Sequence, residues 1–237
     1  MDIGLKTDIH NHILPGVDDG ANSMDSSVRI LSRLQEVGVN KFVLTPHVSG
    51  GLYPNTPEML RPAFDTFKAS LPEDFSDLEF HLASEHMLDE FFDDIKNPLT
   101  FPDGKTILIE MSYYSRSYNL LDDVFRLVQD GYKPVLAHPE RYEFYYSSGS
   151  KVSSLPELEK LITMGCRLQL NVQSLTGCYG KRSLDNLRYL LDHDMYSFVA
   201  TDIHRSSQLD KFIEFDIDAN QMDKVRALAR NNDTLLQ

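Results

Sequence analysis

Short apolar runs, several of them rich in β-branched residues, alternate along the chain with amphipathic segments of helical length. The first run predicts a strand over residues 5–9. A helix is expected over 25–37, where Val28, Leu31, Leu34 and Val37 recur every third residue and Gly38 marks a stop. Residues 41–45 predict the second strand. Thr56-Pro57 then opens a helix with proline in its first turn, and Pro62 is expected to limit it. The third strand is placed at 78–83, followed by a helix over 87–95. The fourth strand is placed at 106–110, followed by a helix over 120–129 that Gly131 closes. The fifth strand is placed at 134–137, then a helix over 155–164 stopped by Gly165. The sixth strand spans 167–171, a helix follows at 183–191, the seventh strand spans 197–200, and a last helix covers 220–229.

Seven strands alternating with helices, without a linker or low-complexity run, predict parallel strands joined by right-handed crossovers. The pattern by itself leaves open a doubly wound sheet and a closed barrel. The polar residues at the strand ends bear on that choice. His10, His12 and Asp18 follow the first strand, His47 the second, and Glu85 and His86 the third. Glu110 ends the fourth, His138-Pro139-Glu140-Arg141 follows the fifth, and Asp202, His204 and Arg205 follow the seventh. In a parallel barrel these ends share one rim, whereas an open sheet spreads them along a line. Ligands from this many strands converge more naturally in a barrel.

Within the first of these segments, His10 and His12 are two residues apart, so in an extended chain both imidazoles point to one side. Pro15-Gly16 turns the chain, which lets Asp18 return toward them. Imidazole and carboxylate donors without a cysteine cluster suit zinc, manganese or iron rather than a structural thiolate site. His81 lies inside a strand and His193 on a helix, and both read as structural. His86 neighbours Glu85 but points away from it.

Composition narrows the picture further. A length of 237 residues and a hydrophobic content of 41% fit one domain, taken as 1–237, with a sizeable core. The formal charge of −13 argues against nonspecific nucleic-acid binding. No signal-peptide pattern and no apolar run of membrane-spanning length occurs, so no membrane insertion and a cytoplasmic location are expected. Cys166 and Cys178 do not make a disulfide framework. A cysteine-phosphatase motif needs an arginine where Val172 and Leu184 stand, so that chemistry fails. Asp216-Ile217-Asp218-Ala219-Asn220 mimics an aspartate-nucleophile motif but falls too near the end of the chain for the rest of that fold, and it reads as a solvated connection.

The combination of His10-x-His12, Asp18, Thr45-Pro46-His47, Glu85, Glu110, His138-Pro-Glu-Arg141 and Asp202-x-His204 resembles the polymerase and histidinol phosphatase (PHP) superfamily. The segment from Ile9 to Gly20, with Ser174-Leu175-Thr176-Gly177, is similar to its bacterial branch of tyrosine-protein phosphatases acting in capsule and exopolysaccharide synthesis. The resemblance implies a distorted TIM-like (β/α)7 barrel with a metal site at the C-terminal ends of the strands. It also implies three divalent ions, manganese first, with iron or zinc as alternatives. Their ligands would be His10, His12, Glu85 and Asp202; then the bridging Glu85 with Glu110 and His138; then Asp18, His47 and His204.

The implied reaction is hydrolysis of phosphotyrosine by a metal-activated hydroxide, with Arg141 and Arg205 clamping the phosphate. Tyr53, Tyr113 and Tyr114 are candidates for a wall around the phenyl ring, and a Tyr- and Ser-rich loop, 142–151, adjoins Arg141. The implied partner is the tyrosine-rich tail of a bacterial tyrosine kinase. The alternatives are a small-molecule phosphatase, such as one acting on histidinol phosphate, and a catalytically silent metal-binding regulator.

Overall fold

A computed structural model describes residues 3–92, 95, 97–145, 155–211 and 215–237. Its strands, in chain order, are β1 (Thr7–Asp8), β2 (Lys41–Leu44), β3 (His47–Val48), β4 (Glu79–Leu82), β5 (Glu85–Met87), β6 (Thr106–Glu110), β7 (Lys133–Ala137), β8 (Arg167–Asn171) and β9 (Phe198–Ala200). The helices are α1 (Met24–Glu36), α2 (Pro57–Ala69), α3 (Leu120–Gln129), α4 (Leu155–Thr163), α5 (Lys181–Asp192) and α6 (Ala219–Asn231). This is an α/β fold in which every strand pair is parallel. One sheet has the order β1-β2-β4 and the other β3-β5-β6-β7-β8-β9.

Two of the predicted strands are each followed, after a two-residue break, by a second short strand. Thr45-Pro46 separates β2 from β3, and Ala83-Ser84 separates β4 from β5. Proline has no N–H for a ladder, so the regular pairing lapses there. Hydrogen bonds nonetheless carry across the lapse, from Ala83 N–H to Leu44 O (2.8 Å) and from Glu85 N–H to Pro46 O (3.1 Å). At the other margin, Asn11 and Ile203 form an isolated parallel bridge. His12 N–H donates to Ile203 O (2.9 Å) and Asp202 N–H to His10 O (2.8 Å), so the chain beyond β9 lies against the chain beyond β1. Thr201 reinforces this seam by donating from its N–H (2.9 Å) and its hydroxyl (2.7 Å) to the Asp8 carboxylate.

Strand residues alternate between two apolar clusters, as the period of two requires. Ile9, Val43, Ala83, Leu108, Val135, Ala137, Phe198 and Ala200 face one another in an inner cluster closed by Phe101 and Leu235. Their neighbours, such as Ile107 and Ile109, pack outward into the larger cluster shared with the helices. On α1, Ile30, Leu31 and Leu34 form the buried stripe, each contributing about 1.5–3 kcal/mol of burial. The Ser23 side chain caps that helix by accepting from Ser26 N–H.

Two local expectations are revised. Pro62 does not end α2, which continues to Ala69. The proline removes one early hydrogen bond, while Leu60, Phe64 and Phe67 anchor the helix by burial. The helix expected over 87–95 is absent among the described residues. Met87 closes β5, and Asp89 accepts from Phe91 N–H (2.9 Å), the local turn bond that competes with a helix start. Residues 93 and 94 of that segment, and residues 146–151 of the loop at 142–151, lie outside the described residues. Asp218, within the presumed solvated connection, caps α6 by accepting from Gln221 N–H (2.9 Å). No helix among the described residues is long and apolar enough to cross a membrane.

Candidate functional site

The strand ends meet over a small volume. His10 Nε2 and His12 Nε2 lie 3.3 Å apart, directly after β1. His10 Nε2 is 3.1 Å from Glu85 Oε2 and 3.4 Å from Asp202 Oδ1, and His12 Nε2 is 3.4 Å from each of the same two oxygens. His47 Nδ1 lies 3.1 Å from Glu85 Oε2 and 2.9 Å from Glu110 Oε1. His138 Nε2 reaches the other oxygen of Glu85 at 3.1 Å. Donor atoms therefore fall into three overlapping groups: His10, His12, Glu85 and Asp202; His47, Glu85 and Glu110; and His12, Asp19, His47 and His204.

Asp18 and Asp19 have different places. The Asp18 carboxylate sits 2.8 Å from His12 Nδ1 and accepts from the N–H groups of Gly20 (2.9 Å) and His47 (3.0 Å). Asp19 Oδ1 instead faces the imidazoles, 3.4 Å from His47 Nε2 and 3.5 Å from His204 Nε2. The structure thus brings Asp19, and not Asp18, into the group with His47 and His204. Gly20 makes this turn possible, because a Cβ there would stand 2.2 Å from the His12 carbonyl oxygen.

Two further residues went unnoticed in the sequence. Gln169 on β8 holds His10 Nδ1 through its Oε1 at 2.9 Å, as Asp18 holds His12. With Nδ1 engaged on both rings, Nε2 is the atom each presents to the centre, the usual way in which outer partners orient metal-binding imidazoles. Tyr179 lies with its ring 4.0 Å from the Arg141 guanidinium, and Tyr113 lies 4.4 Å from the same guanidinium. A glutamine inside a strand and a tyrosine in a loop carry no chemical signature, so only the adjacency of Asp19 to Asp18 offered a signal in advance.

His138 and Asp202 adopt left-handed backbone conformations, with φ of 36° and 48°. Non-glycine residues adopt that region at some energetic expense, and such strain concentrates at functional sites. Arg141 donates to Asp202 Oδ2 at 2.6 Å. Arg205 is exposed at the margin, where its N–H and that of His204 both donate to Gln208 Oε1. Above the donors opens a cavity of about 620 Å³ whose walls include Tyr53, Tyr113, Tyr114, Tyr179, Arg141 and Arg205. Tyr53 stacks on His47, 5.4 Å between centroids and 12° between planes. His86 takes no part in these groups; its ring is buried and turned to Leu99 O.

The electrostatics test whether cations fit. Burial opposes ionisation of Asp202, but His10, His12, His204 and Arg141 outweigh it and hold the carboxyl well below the usual range. Burial and the neighbouring His12 oppose a charge on His47, yet Glu85 and Glu110 raise it to about 10. Burial and the like charge of Glu85 push Glu110 upward. The carboxylates thus call for positive charge at their centre. His138 Nδ1 is buried without a hydrogen-bond partner among the described residues, and Glu85 Oε2 lies 3.1–3.4 Å from three imidazole nitrogens without a hydrogen bond of good geometry to any of them. Buried charges of this density are stable when paired or bound to metal. Nitrogen and oxygen donors in overlapping groups, with unsatisfied atoms among them, fit divalent transition ions.

Comparison with known proteins places the chain in a family. The family model for capsular polysaccharide synthesis proteins, CpsB/CapC, matches residues 6–225. The tyrosine-protein phosphatase YwqE of Bacillus subtilis is 30% identical over 203 residues, covering 83% of this chain and 76% of that protein. The tyrosine-protein phosphatase CpsB of Streptococcus pneumoniae is 29% identical over 205 residues, covering 83% and 82%. A crystal structure from work on YwqE of B. subtilis and CpsB of S. pneumoniae, described as unique metal-dependent tyrosine phosphatases, superposes with a TM-score of 0.79 at 26% identity, covering 97% of this chain and 94% of that one. Histidinol phosphate phosphatase of Lactococcus lactis shares the fold at a TM-score of 0.53 and 16% identity, covering 96% and 94%. With residues 6–225 of its 237 matched, this chain belongs to the capsular polysaccharide synthesis family CpsB/CapC.

Proposed function

We propose that this protein is a metal-dependent protein-tyrosine phosphatase acting on a bacterial tyrosine kinase of capsule or exopolysaccharide synthesis, in the cytoplasm. The observation that carries the reading is the set of overlapping nitrogen and oxygen donor groups at the floor of a cleft walled by tyrosines and two arginines. Three divalent ions, manganese first, would be held by His10, His12, Glu85 and Asp202, by Glu85 with Glu110 and His138, and by His47 and His204 with Asp19. When bound, they supply Lewis acidity and lower the pKa of water to about 7.

The chain's own residues do the rest. Arg141 is anchored on one side by Asp202 and between two rings by Tyr113 and Tyr179, which leaves the remaining donors of its fork for phosphoryl oxygens. Arg205 stands exposed at the margin as a second cation for the same oxygens. Tyr53, against His47, and Tyr113 wall the space a phenyl ring would occupy. A tyrosine leaving group, with a pKa of about 10, departs with little protonation, so no dedicated acid is required. The seven predicted strands are read as a distorted (β/α)7 barrel within one domain. This is supported by the inner cluster and by the bridge from Asn11 to Ile203.

The test is to strip and restore metals on the purified protein and compare turnover of phosphotyrosine peptide, phosphoserine peptide and histidinol phosphate. Metal-dependent preference for phosphotyrosine is expected. Preference for histidinol phosphate, or no turnover with any ion, would overturn the proposal. Metal content separates the two aspartates: Asp19→Asn should lose an ion. Asp18→Asn should keep the ions and lose about 10–100-fold in activity through a misoriented His12. The reverse pattern would displace Asp19 from the site.

A further inference from the structure

We propose that a second cleft, at the start of α5, receives an anion of the substrate chain beside the phosphotyrosine: an acidic side chain or a second phosphate. The proposal rests on the phosphotyrosine reading above. The cleft is a cavity of about 200 Å³ that shares Tyr113, Tyr114, Arg141 and Tyr179 with the main one, and its far wall is Arg182 and Ser183. The two clefts therefore adjoin along shared side chains, which suits neighbouring residues of a single peptide.

Its far wall has the chemistry of an anion site. The N-cap of α5 is Gly180, and no side chain caps the first turn. The first N–H groups of a helix have no acceptor within it and carry the positive end of its dipole. Ser183, in that turn, is 6% exposed, and its hydroxyl has no hydrogen-bond partner among the described residues. A buried hydroxyl in a cleft wall with no partner is a donor awaiting an acceptor. Arg182 is exposed and forms no ion pair among the described residues, whereas Lys181 and Arg188 on the same helix pair with Asp185 at 2.5 and 3.8 Å.

Glu140 also lines the cleft, but its carboxylate is turned inward. It accepts from Asn171 N–H (3.0 Å), Ser174 Oγ (2.8 Å) and the Tyr196 hydroxyl (2.9 Å). A guanidinium and a hydroxyl without partners among the described residues and an uncapped helix start, in a chain of net charge −13, make a local site for carboxylate or phosphate.

The experiment uses the metal-loaded full chain and three phosphotyrosine peptides that differ only in the flanking residue: glutamine, glutamate or a second phosphotyrosine. p-Nitrophenyl phosphate serves as a substrate with no flank. Wild type should favour the glutamate or phosphotyrosine flank over glutamine by about tenfold in kcat/KM, the range of one charge-assisted hydrogen bond, and the better of the two identifies the anion. Arg182→Glu should abolish the preference through KM, and Ser183→Ala should reduce it. Lys181→Glu, outside the cleft, should keep it. Turnover of p-nitrophenyl phosphate should be equal in all four proteins.

Equal kcat/KM for the three peptides, a preference surviving Arg182→Glu, or an equal loss in Lys181→Glu would each overturn the subsite while the phosphatase reading stands. No turnover of p-nitrophenyl phosphate by wild type would remove both.

Discussion

His86 should be an acid-sensitive weak point of the fold although it stands next to Glu85 of the candidate donor groups. It occupies β5 beside Glu85, but successive strand residues face opposite sides, so its ring enters the packed interior. It is 1% exposed, its Nε2 lies 3.4 Å from Leu99 O, and its Nδ1 has no hydrogen-bond partner among the described residues. Burial pushes its pKa from 6.5 down to about 4. The unfolded chain therefore binds the proton more readily than the folded one between those values. The stability this represents is complete above pH 6.5 and is lost as pH falls through about 4. Integrating the linkage relation to pH 4 gives a loss of about 3 kcal/mol.

Gln in place of His86 keeps a donor near Leu99 O and does not titrate. Urea unfolding of chelator-treated wild type and His86→Gln, followed by circular dichroism from pH 7.5 to 4, measures the effect as a difference, in which other titrating groups cancel. The advantage of wild type over the variant should shrink by about 3 kcal/mol across that window. A constant offset, or a gap that widens toward acid, would refute the assignment of His86 as a neutral, buried imidazole.

Other substitutions probe the site directly. Tyr179→Ala removes one face of the Arg141 sandwich, and a cation–π contact of about 0.5–2 kcal/mol predicts a severalfold fall in kcat/KM for p-nitrophenyl phosphate that Tyr179→Phe restores. Equal losses in the two variants would assign the effect to the hydroxyl instead. Gly20→Ala places a methyl 2.2 Å from the His12 carbonyl oxygen, so the turn must shift. A lower melting temperature, by the equivalent of about 1–3 kcal/mol, and weaker metal retention are expected, and an unchanged melt would disprove the close approach. Arg141→Lys keeps the charge but loses the fork, so kcat/KM should fall by more than tenfold while the protein melts near wild type. Full activity in that variant would take the guanidinium out of phosphate binding.

Much of the α/β pattern was legible because its cause is local. The apolar stripe of α1 repeats at helical spacing, and β6, β8 and their flanking helices bury what their periodicity exposes to the core. The chemistry of the centre was legible for a different reason. Histidine and carboxylate are expensive to bury without partners, so their recurrence after successive strands points to a shared use.

What the local pattern missed has distant causes. Residues 87–95 carry an apolar spacing compatible with a helix, but Met87 is claimed by pairing to Glu110 of β6. Gln169 and Tyr179 became site residues only because β8 and the loop after it fold against His10 and Arg141. Asp18 and Asp19 are the sharpest case. The sequence alone determines that two carboxylates follow the His10-x-His12 pair, and adjacent aspartates are chemically the same. Only the tertiary structure gives them separate roles. The His47 N–H, brought from the far side of α1, and the tight approach of Gly20 to His12 turn Asp18 onto the imidazole of His12, which leaves Asp19 facing His47 and His204.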